Sequence, residues 1–570
     1  MDFHVNIDSN CKRLSKQLCD GTYRPSTPIR ILLEKSNGLC RQIVIPAVDD
    51  ALVLQCLSDE LYKDIKSKSP TDKAFFEPDD HKFSNSKKDL NGAPKYGSFK
   101  AWLDFQKGIL NFTKTYKYLI VTDIANFYDG ISYIHLRNIM SSQIEVQESV
   151  LDTLIFILSG LLWQPDYAPH VEIGLPQIDI DASRILAHCF LYELDDFLGN
   201  HQKLDFVRYM DDIDIGVDSI SSAKNILRDI DLILHTRQVR LNSGKTKILT
   251  SGEAEAHFRV RDNAFIDNFT ELLGRRLAHK KPIERHVNQF AKSLASQFSK
   301  GRFNGGNGEK ILKRSITLAR NYNAALNHNM VADILIKKAG IRDNILSYIT
   351  HRPLTMSKFK LINNYAKDDE LVDDGAILNY ATYLIEAHVN YHYMTEKTLN
   401  DLMLDISNKG FCGLYSAIWI GSKYQRPEAY YKFILSKVDY WRADVVLGRL
   451  VGGVASALLK TKEYPKFEKL VRSVKNNAAE SVLEFHTKIA SEKETLLKVK
   501  PIVSAVNKTK LLGLTHAKYL MLLGMFTNTH LSAPEKIKII KSHERAWTDP
   551  FYRRGAFRTL PNDLRKHVKY

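Results

Sequence analysis

Two short acidic motifs place carboxylates where apolar segments of the sequence end or bend. Asp123 follows the apolar run in YLIVTDIANFYD, and Asp211 and Asp212 interrupt a second apolar run in FVRYMDDIDIGV. Adjacent carboxylates repel each other, and burying them among apolar residues is unfavourable unless cations neutralise them. The three aspartates therefore predict a metal site. An acidic pair considered alone is also compatible with a solvated turn.

Carboxylates in this arrangement are suited to transferring a nucleotidyl group. Such reactions typically use two divalent ions about 3.5–4 Å apart, one activating the attacking hydroxyl and one neutralising the leaving pyrophosphate. Hard Mg²⁺ favours carboxylate oxygen ligands. We therefore expect two Mg²⁺ ions at Asp123, Asp211 and Asp212, with Mn²⁺ as the alternative ion.

Two kinds of element are needed to position these aspartates. The apolar run before Asp123 predicts a strand whose end presents the carboxylate. The run around Tyr209 and Met210 predicts a hairpin with the acidic pair at its bend. Because similar short apolar runs alternate with helical stretches, the first half of the chain has an α+β pattern.

The second half of the chain has a different pattern. Glycine and asparagine in GRFNGGNG predict a linker at residues 301–309. Beyond it, apolar residues fall at helical spacing over long windows, which predicts an all-α domain at residues 310–570. Irregularly spaced prolines favour stacked helix pairs in a HEAT-like repeat, and an ordinary helical bundle is the alternative.

Composition restricts the class of protein. The 570 residues can form two or three domains, and the net charge of +16 with a pI near 9.2 favours a polyanionic partner or, alternatively, solubility alone. The six cysteines lack the spacing of zinc ligands. Since no apolar segment is long enough for a signal sequence or a membrane span, we expect a soluble, intracellular protein without membrane contact.

The ordered motifs resemble those of reverse transcriptases. Tyr209, Met210, Asp211 and Asp212 resemble the catalytic hairpin of that family, and DIANFYD resembles its first palm motif with Asp123 as metal ligand. The resemblance covers about residues 30–250. It implies a right-hand polymerase fold with fingers at about 1–110, palm at about 111–255 and a thumb-like region at about 256–300, making a reverse transcriptase domain of residues 1–300.

The same resemblance assigns substrate contacts upstream of the hairpin. Lys35 in LLEKSNG and Arg41 in CRQIVIP lie where reverse transcriptases place cations that hold the incoming triphosphate. Tyr128 occupies the position whose ring lies beneath the sugar, which implies a preference for deoxynucleotides. The alternatives are that Lys35 and Arg41 belong to a surface hairpin and that Tyr128 serves core packing.

Two further motifs complete the series. GLPQIDIDASRILAH resembles the motif that supports the template and the new base pair, with Gln177 and Ser183 as its contacts. It departs from the family at Ile178 and Asp179, where the family usually has a glycine, so that templated and untemplated synthesis both stay open. LNSGKTKIL resembles the fourth palm motif, in which Lys245 lies near the pyrophosphate and acts as general acid, a solvated turn lysine being the alternative.

The DASRILA sequence after the glycine-proline motif, combined with a long helical C-terminal region, resembles bacterial abortive-infection and defence-associated reverse transcriptases. This resemblance implies an antiphage DNA polymerase in the bacterial cytoplasm that uses dNTPs, with an associated noncoding RNA as template or without a template, and with protein priming as an option. It also implies homo-oligomers that bind nucleic acid. The alternatives are a retron-type or group II intron-type enzyme and an inactive nucleic-acid-binding scaffold.

Overall fold

The computed structural model describes residues 1–75, 99–162, 172–178, 180–368, 371–389, 393–508 and 510–568. Over these ranges the chain is α+β, with many helices and two small antiparallel sheets. None of the helices in these ranges combines the length and the apolar character needed to cross a membrane.

The strands lie in the first half of the described chain. Their bounds are β1 Ile29–Ser36, β2 Leu39–Ile45, β3 Tyr118–Thr122, β4 Phe206–Tyr209, β5 Asp212–Val217 and β6 Lys247–Thr250. β1 and β2 form a hairpin, and the other strands form a sheet in the order β4-β5-β3-β6. Ile120 and Ile215 are paired across β3 and β5 and are fully buried, so the centre of this sheet lies in the core.

Helices fill the rest of the first half. They are α1 Asp2–Val5, α2 Ile7–Cys19, α3 Val48–Ser67, α4 Phe99–Thr115, α5 Phe127–Gly130, α6 Tyr133–Gln143, α7 Glu148–Leu161, α8 Asp181–Phe190, α9 Tyr192–Asp196, α10 Ile220–Thr236, α11 Ser251–His257, α12 Val260–Ala278 and α13 Glu284–Ser299. A single π-helical turn, Phe197–His201, continues α9. α10 begins at a cap in which the Ser219 side chain accepts the Ser222 N–H, a common way to satisfy an unpaired helix N–H.

From residue 308 onward the described elements are all helical. They are α14 Gly308–Asn321, α15 His328–Lys337, α16 Arg342–Thr350, α17 Met356–Lys367, α18 Asp374–Glu386, α19 Tyr393–Ser407, α20 Gly410–Tyr424, α21 Pro427–Ser436, α22 Val438–Trp441, α23 Val445–Gly453, α24 Tyr464–Val474, α25 Asn477–Ser491, α26 Lys493–Ser504, α27 His516–Thr527, α28 Ala533–Ser542 and α29 Pro550–Thr559. Short 3₁₀ turns occur at Ala339–Ile341, Ala455–Leu458, Ala546–Thr548 and Arg565–His567.

The buried apolar residues form two large clusters. One packs the four-stranded sheet against the helices of the first half. The other runs from α12 to the end of the described chain and also includes Val5. The region at 256–300 therefore shares its core with the helical half through residues such as Leu273 and Phe290.

The glycine-rich stretch between α13 and α14 is a set of turns packed on the first half. Phe303 is only 5% exposed, and the Asn307 N–H donates to the His257 carbonyl at 2.9 Å. Gly306 has φ +52, and a Cβ there would lie 2.6 Å from the same carbonyl oxygen. A side chain at this position would be strained and would collide with backbone, so glycine allows this close approach.

The β1-β2 hairpin also contacts the helical half. The Leu32 N–H donates to Asp374 at 2.9 Å, and the Glu34 N–H donates to Asp373 at 3.3 Å. Arg342 bridges the carboxylates of Glu34 and Asp373 at 2.7 and 2.6 Å. These bonds satisfy the exposed edge of β1, which would otherwise present unpaired N–H groups.

Candidate active site

The aspartates of the two acidic motifs meet at one edge of the four-stranded sheet. In the β3–β5 pairing, Val121 lies opposite Asp214 and Thr122 lies opposite Ile213. Extending this antiparallel register by one residue places Asp123 opposite Asp212. Because strand side chains alternate between faces, Asp123, Asp212 and Asp214 share one face of the sheet.

That face borders a cavity of about 200 Å³. Its charged lining residues are Asp123, Asp212, Asp214, Lys245, Lys247 and Lys310. The lining therefore contains three carboxylates and three ammonium groups. Lys310 belongs to α14, so the helical half of the chain contributes to this cavity.

Lys245 is the direct partner of Asp123. The Lys245 Nζ contacts Oδ2 of Asp123, a residue only 4% exposed, and the Asn242 N–H donates to the Asp123 carbonyl at 2.8 Å. Burial opposes the charged form of Lys245, but the Asp123 carboxylate outweighs it and raises the lysine pKa. The ammonium thus neutralises this buried carboxylate.

Part of the carboxylate set fits a divalent ion. Asp123 Oδ1 is buried and has no hydrogen-bond partner within the described chain, and a buried oxygen of this kind is suited to a cation. Across the described ranges, however, no three His, Cys, Asp or Glu side chains are gathered closely enough to hold a metal ion. Asp123 and Asp212 are therefore the carboxylates of this cavity that would hold such an ion.

Burial and repulsion by neighbouring carboxylates raise the pKa values of Asp211, Asp212 and Asp214. Burial raises the pKa of Asp211 to about 6, with further contributions from Asp212 and Asp123. Burial also raises the pKa of Asp212, against the opposing charge of Lys310. Asp214 is 3% exposed and its pKa is raised well above its usual range, again chiefly by burial. Each of these groups would gain from a neutralising cation.

The acidic hairpin turns tightly. Tyr209 pairs with Asp212, which leaves Met210 and Asp211 as a two-residue turn. Met210 has φ +55, a left-handed conformation that non-glycine residues seldom adopt. The Arg208 Nη1 donates to the Met210 carbonyl at 2.9 Å, so a side chain of β4 stabilises the turn by a hydrogen bond to its backbone.

Arg208 is itself completely buried. Its Nε donates to Asp195 at 2.6 Å and its Nη2 contacts the other oxygen of that carboxylate, while His188 Nδ1 lies 3.4 Å from Nη2. Burial, with the nearby guanidinium, lowers the pKa of His188 well below its usual value. The neutral imidazole can then accept a hydrogen bond from Arg208.

Aromatic rings pack around the hairpin on the cavity side. Trp102 lies edge-on to Tyr209 with ring centroids 5.3 Å apart, and Phe105 lies 5.8 Å from the same ring. The Lys310 ammonium lies 4.6 Å from the centre of the Trp102 ring. This distance is within the range of a cation–π interaction.

The predicted sugar contact lies near two arginines. Burial and the charge of Asp211 raise the pKa of Tyr128, while Arg184 and Arg41 oppose that shift. The structure therefore brings Arg41 and Tyr128 into the same electrostatic neighbourhood as the acidic hairpin. Arg184, which directly follows Ser183, is an additional cation there.

The predicted template motif connects the β1-β2 hairpin to the first palm motif. The Val44 N–H donates to the Gln177 carbonyl at 2.9 Å, and the Gln177 amide donates to Asp129 at 3.4 Å. Ser183 is almost fully buried in α8, and its hydroxyl lacks a hydrogen-bond partner within the described residues. Ile178 is buried as well.

Of the site residues predicted from the sequence, Asp123, Asp212 and Lys245 line the cavity, whereas the others described do not: Lys35, Arg41, Tyr128, Gln177, Ser183, Tyr209, Met210 and Asp211. Lys35 is exposed at an irregularity of the β1-β2 pairing, and it is not among the residues that line the cavity. Asp179 lies outside the described residues. Its predicted effect on template geometry stays a prediction.

Four charged residues near the site were not predicted from the sequence: Arg184, Arg208, Asp214 and Lys310. Arg208 is a charged residue inside the apolar run FVRYMDDIDIGV. A charge in such a run indicates that the residue is buried with a partner of opposite charge. The two-residue period of a strand is a signal that Asp214 shares the face of Asp212. No comparable signal exists for Lys310, because it reaches the cavity through tertiary packing.

Comparison with known proteins gives distant structural likenesses and no match at the level of sequence. No protein-family model and no curated protein sequence matches the chain. Among solved structures, the chain is similar to apo telomerase from Candida tropicalis, with 11% sequence identity over 77% of this chain and 73% of that chain and a TM-score of 0.29. The site geometry alone carries the proposed function.

Proposed function

We propose that this chain is a metal-dependent DNA polymerase of the reverse transcriptase family, in which Asp123, Asp211 and Asp212 hold two Mg²⁺ or Mn²⁺ ions. The observation that carries the proposal is the cross-strand meeting of Asp123 with the acidic hairpin beside a lysine-lined cavity. An unpartnered buried carboxylate oxygen on Asp123 supports a cation there. When bound, the ions supply charge neutralisation for phosphoryl transfer.

The side chains around the aspartates have complementary tasks in this proposal. Lys245 contacts Asp123, and its ammonium would lie near the leaving pyrophosphate, to which it could donate a proton. Arg41 and Arg184 carry positive charge near Tyr128 and would attract the triphosphate of an incoming nucleotide. The Tyr128 ring would then exclude a ribose 2′-hydroxyl and favour dNTPs.

The proposal extends to the arrangement of the whole chain. It has fingers at about 1–110, palm at about 111–255 and a thumb-like region at about 256–300, followed by a helical domain of the HEAT-like kind. The basic net charge supports a nucleic-acid partner. Antiphage defence in a bacterial cytoplasm, an associated noncoding RNA and homo-oligomerisation are further parts of the proposal, supported by the DASRILA motif and the long helical half.

Nucleotide incorporation tests the proposal. Purified protein would receive labelled dNTPs with Mg²⁺ or Mn²⁺, with and without the RNA that co-purifies with it. The matched control is an Asp211→Asn, Asp212→Asn variant, which keeps side-chain size and removes both charges. The proposal predicts label incorporation by the wild type only, and equal incorporation by the two proteins would refute it.

An inactive nucleic-acid-binding scaffold is the second candidate, favoured by one observation. The Lys245 ammonium is the counter-ion of Asp123, and among the described residues no three His, Cys, Asp or Glu side chains are grouped as metal ligands. Calorimetric titration with Mn²⁺ separates the candidates. A polymerase should bind Mn²⁺ in a way that Asp123→Asn abolishes, whereas a scaffold should bind the ion equally weakly with either residue.

A further inference from the structure

The first helix of the helical half begins beside the proposed catalytic cavity. α14 starts at Gly308, directly after the turn in which the Asn307 N–H donates to the His257 carbonyl. Gly308 also packs tightly, because a Cβ there would lie 2.3 Å from the Phe303 carbonyl oxygen. These contacts fix the start of α14 against the first half of the chain, so that its first-turn side chains have a defined position.

Lys310 is the side chain that this arrangement directs into the cavity. It lines the cavity together with Asp212 and Asp214, and its ammonium lies 4.6 Å from the centre of the Trp102 ring. Trp102 in turn packs edge-on against Tyr209, the first residue of the acidic hairpin motif. The lysine is thus held between the aromatic support of the hairpin and the carboxylates of β5.

We propose that Lys310 is a positioning residue of the catalytic cavity, through which the helical half sets the cavity's relative affinity for divalent ions and for a nucleoside triphosphate. This inference rests on the proposed polymerase function and adds a residue from outside the fingers, palm and thumb-like regions. Lys310 acts by balancing the charge of Asp212 and Asp214.

The sign of its effect follows from Coulomb's law. A fixed ammonium beside Asp212 repels a divalent cation that approaches the same carboxylate. The same ammonium attracts the polyphosphate of an incoming nucleotide. Removing the charge should therefore strengthen metal binding in the absence of nucleotide and weaken triphosphate binding. A lysine that served only packing would weaken both when removed.

Titration of three full-length variants tests this sign. Lys310→Met removes the charge and keeps the aliphatic stem, Lys310→Arg keeps the charge, and Lys313→Met removes a lysine one turn later on α14 that does not line the catalytic cavity. Mn²⁺ alone, and then dATP in saturating Ca²⁺, would be titrated calorimetrically. Lys310→Gln replaces the Met variant if thermal melting shows that the latter is poorly folded.

We expect Lys310→Met to bind Mn²⁺ about three- to tenfold more tightly and dATP about three- to tenfold more weakly than the wild type. Lys310→Arg and Lys313→Met should stay within about twofold of the wild type for both ligands. Parallel weakening of both ligands, or no change in either, would overturn the proposal.

Neither titration depends on turnover, which separates this inference from the proposed function. If the wild type incorporates no nucleotide but Lys310→Met shifts the two affinities in opposite directions, the polymerase proposal fails and the role of Lys310 stands. If the wild type polymerises and the affinities do not shift, the reverse holds.

Discussion

The Lys245 ammonium contacts one carboxylate oxygen of Asp123, while the other oxygen of that carboxylate is buried and has no hydrogen-bond partner within the described chain. One oxygen is thus neutralised and the other is left for a cation. In the proposed polymerase, a metal ion at Asp123 would lie close to the Lys245 ammonium, and the two cations would repel each other.

Replacing Lys245 should separate its electrostatic role from its proton-donating role. Lys245→Met should bind Mn²⁺ more tightly without nucleotide, because a competing cation is gone, and should incorporate dNTPs about 10²–10⁴-fold more slowly if the lysine is the general acid. Calorimetry and single-nucleotide incorporation measure the two effects.

Lys245→Arg is the control for charge. It should bind Mn²⁺ as the wild type does and remain slow in turnover, because a guanidinium gives up its proton poorly. Wild-type turnover by this variant would contradict a general-acid role for Lys245.

Arg208 should matter to the hairpin beyond its contribution to stability. Arg208→Met leaves Asp195 buried without its partner and should lower the free energy of unfolding by about 3–5 kcal/mol. The double variant Arg208→Met, Asp195→Leu removes both charges and should regain most of that stability in urea unfolding. It should still incorporate nucleotides about 100-fold more slowly, since the Met210 carbonyl has lost its donor and the turn can shift. Full activity of the stable double variant would show that Arg208 does not position the turn.

Tyr128 should set the sugar preference. Tyr128→Ala should lower the ratio of kcat/KM for dATP over ATP by about tenfold or more, because the ring no longer excludes the 2′-hydroxyl. Tyr128→Phe keeps the ring and should leave the ratio unchanged. If the alanine variant is only less stable and its ratio is that of the wild type, the residue serves core packing.

Acid should destabilise the helical half through buried histidines. His486 is buried with Nδ1 3.0 Å from Ser456 Oγ, and burial lowers its pKa from 6.5 to about 4. Between these values the unfolded chain binds more protons than the folded chain, so the free energy of unfolding falls as the pH falls. For His486 the full loss is about 3 kcal/mol between pH 6.5 and 4.

Thermal unfolding between pH 8 and 4 measures this effect. His486→Gln should flatten the dependence on pH, while the exposed His530 offers a matched control in His530→Gln. The flattening should be partial, because burial also lowers the pKa of His516. Identical slopes for the wild type and His486→Gln would contradict this account.

The acidic site could be predicted because its signals are local. An apolar run that ends in Asp123 and another that bends at Asp211 and Asp212 define a strand and a hairpin, and antiparallel pairing then brings the residues together. The described fold is α+β in its first half and helical after residue 308, as the periodicity predicts.

Other parts of the site depend on contacts that leave no local signal. Lys310 reaches the cavity because the turn before α14 packs on His257. Asp373 and Asp374 cover the edge of β1 by accepting hydrogen bonds from its backbone N–H groups. Because every residue except proline has such a donor, the side chains of β1 do not indicate this contact. Lys35, whose role was predicted only from its motif, does not line the cavity.

The most direct test of the central claim is the incorporation of labelled dNTPs by the wild type and by Asp123→Asn under identical Mg²⁺ and RNA conditions. The proposed site predicts DNA synthesis by the wild type and a loss of at least about 10³-fold in the variant, at a thermal stability no lower than that of the wild type. Equal synthesis by the two proteins, or none by either with any divalent ion, would contradict a polymerase site at Asp123.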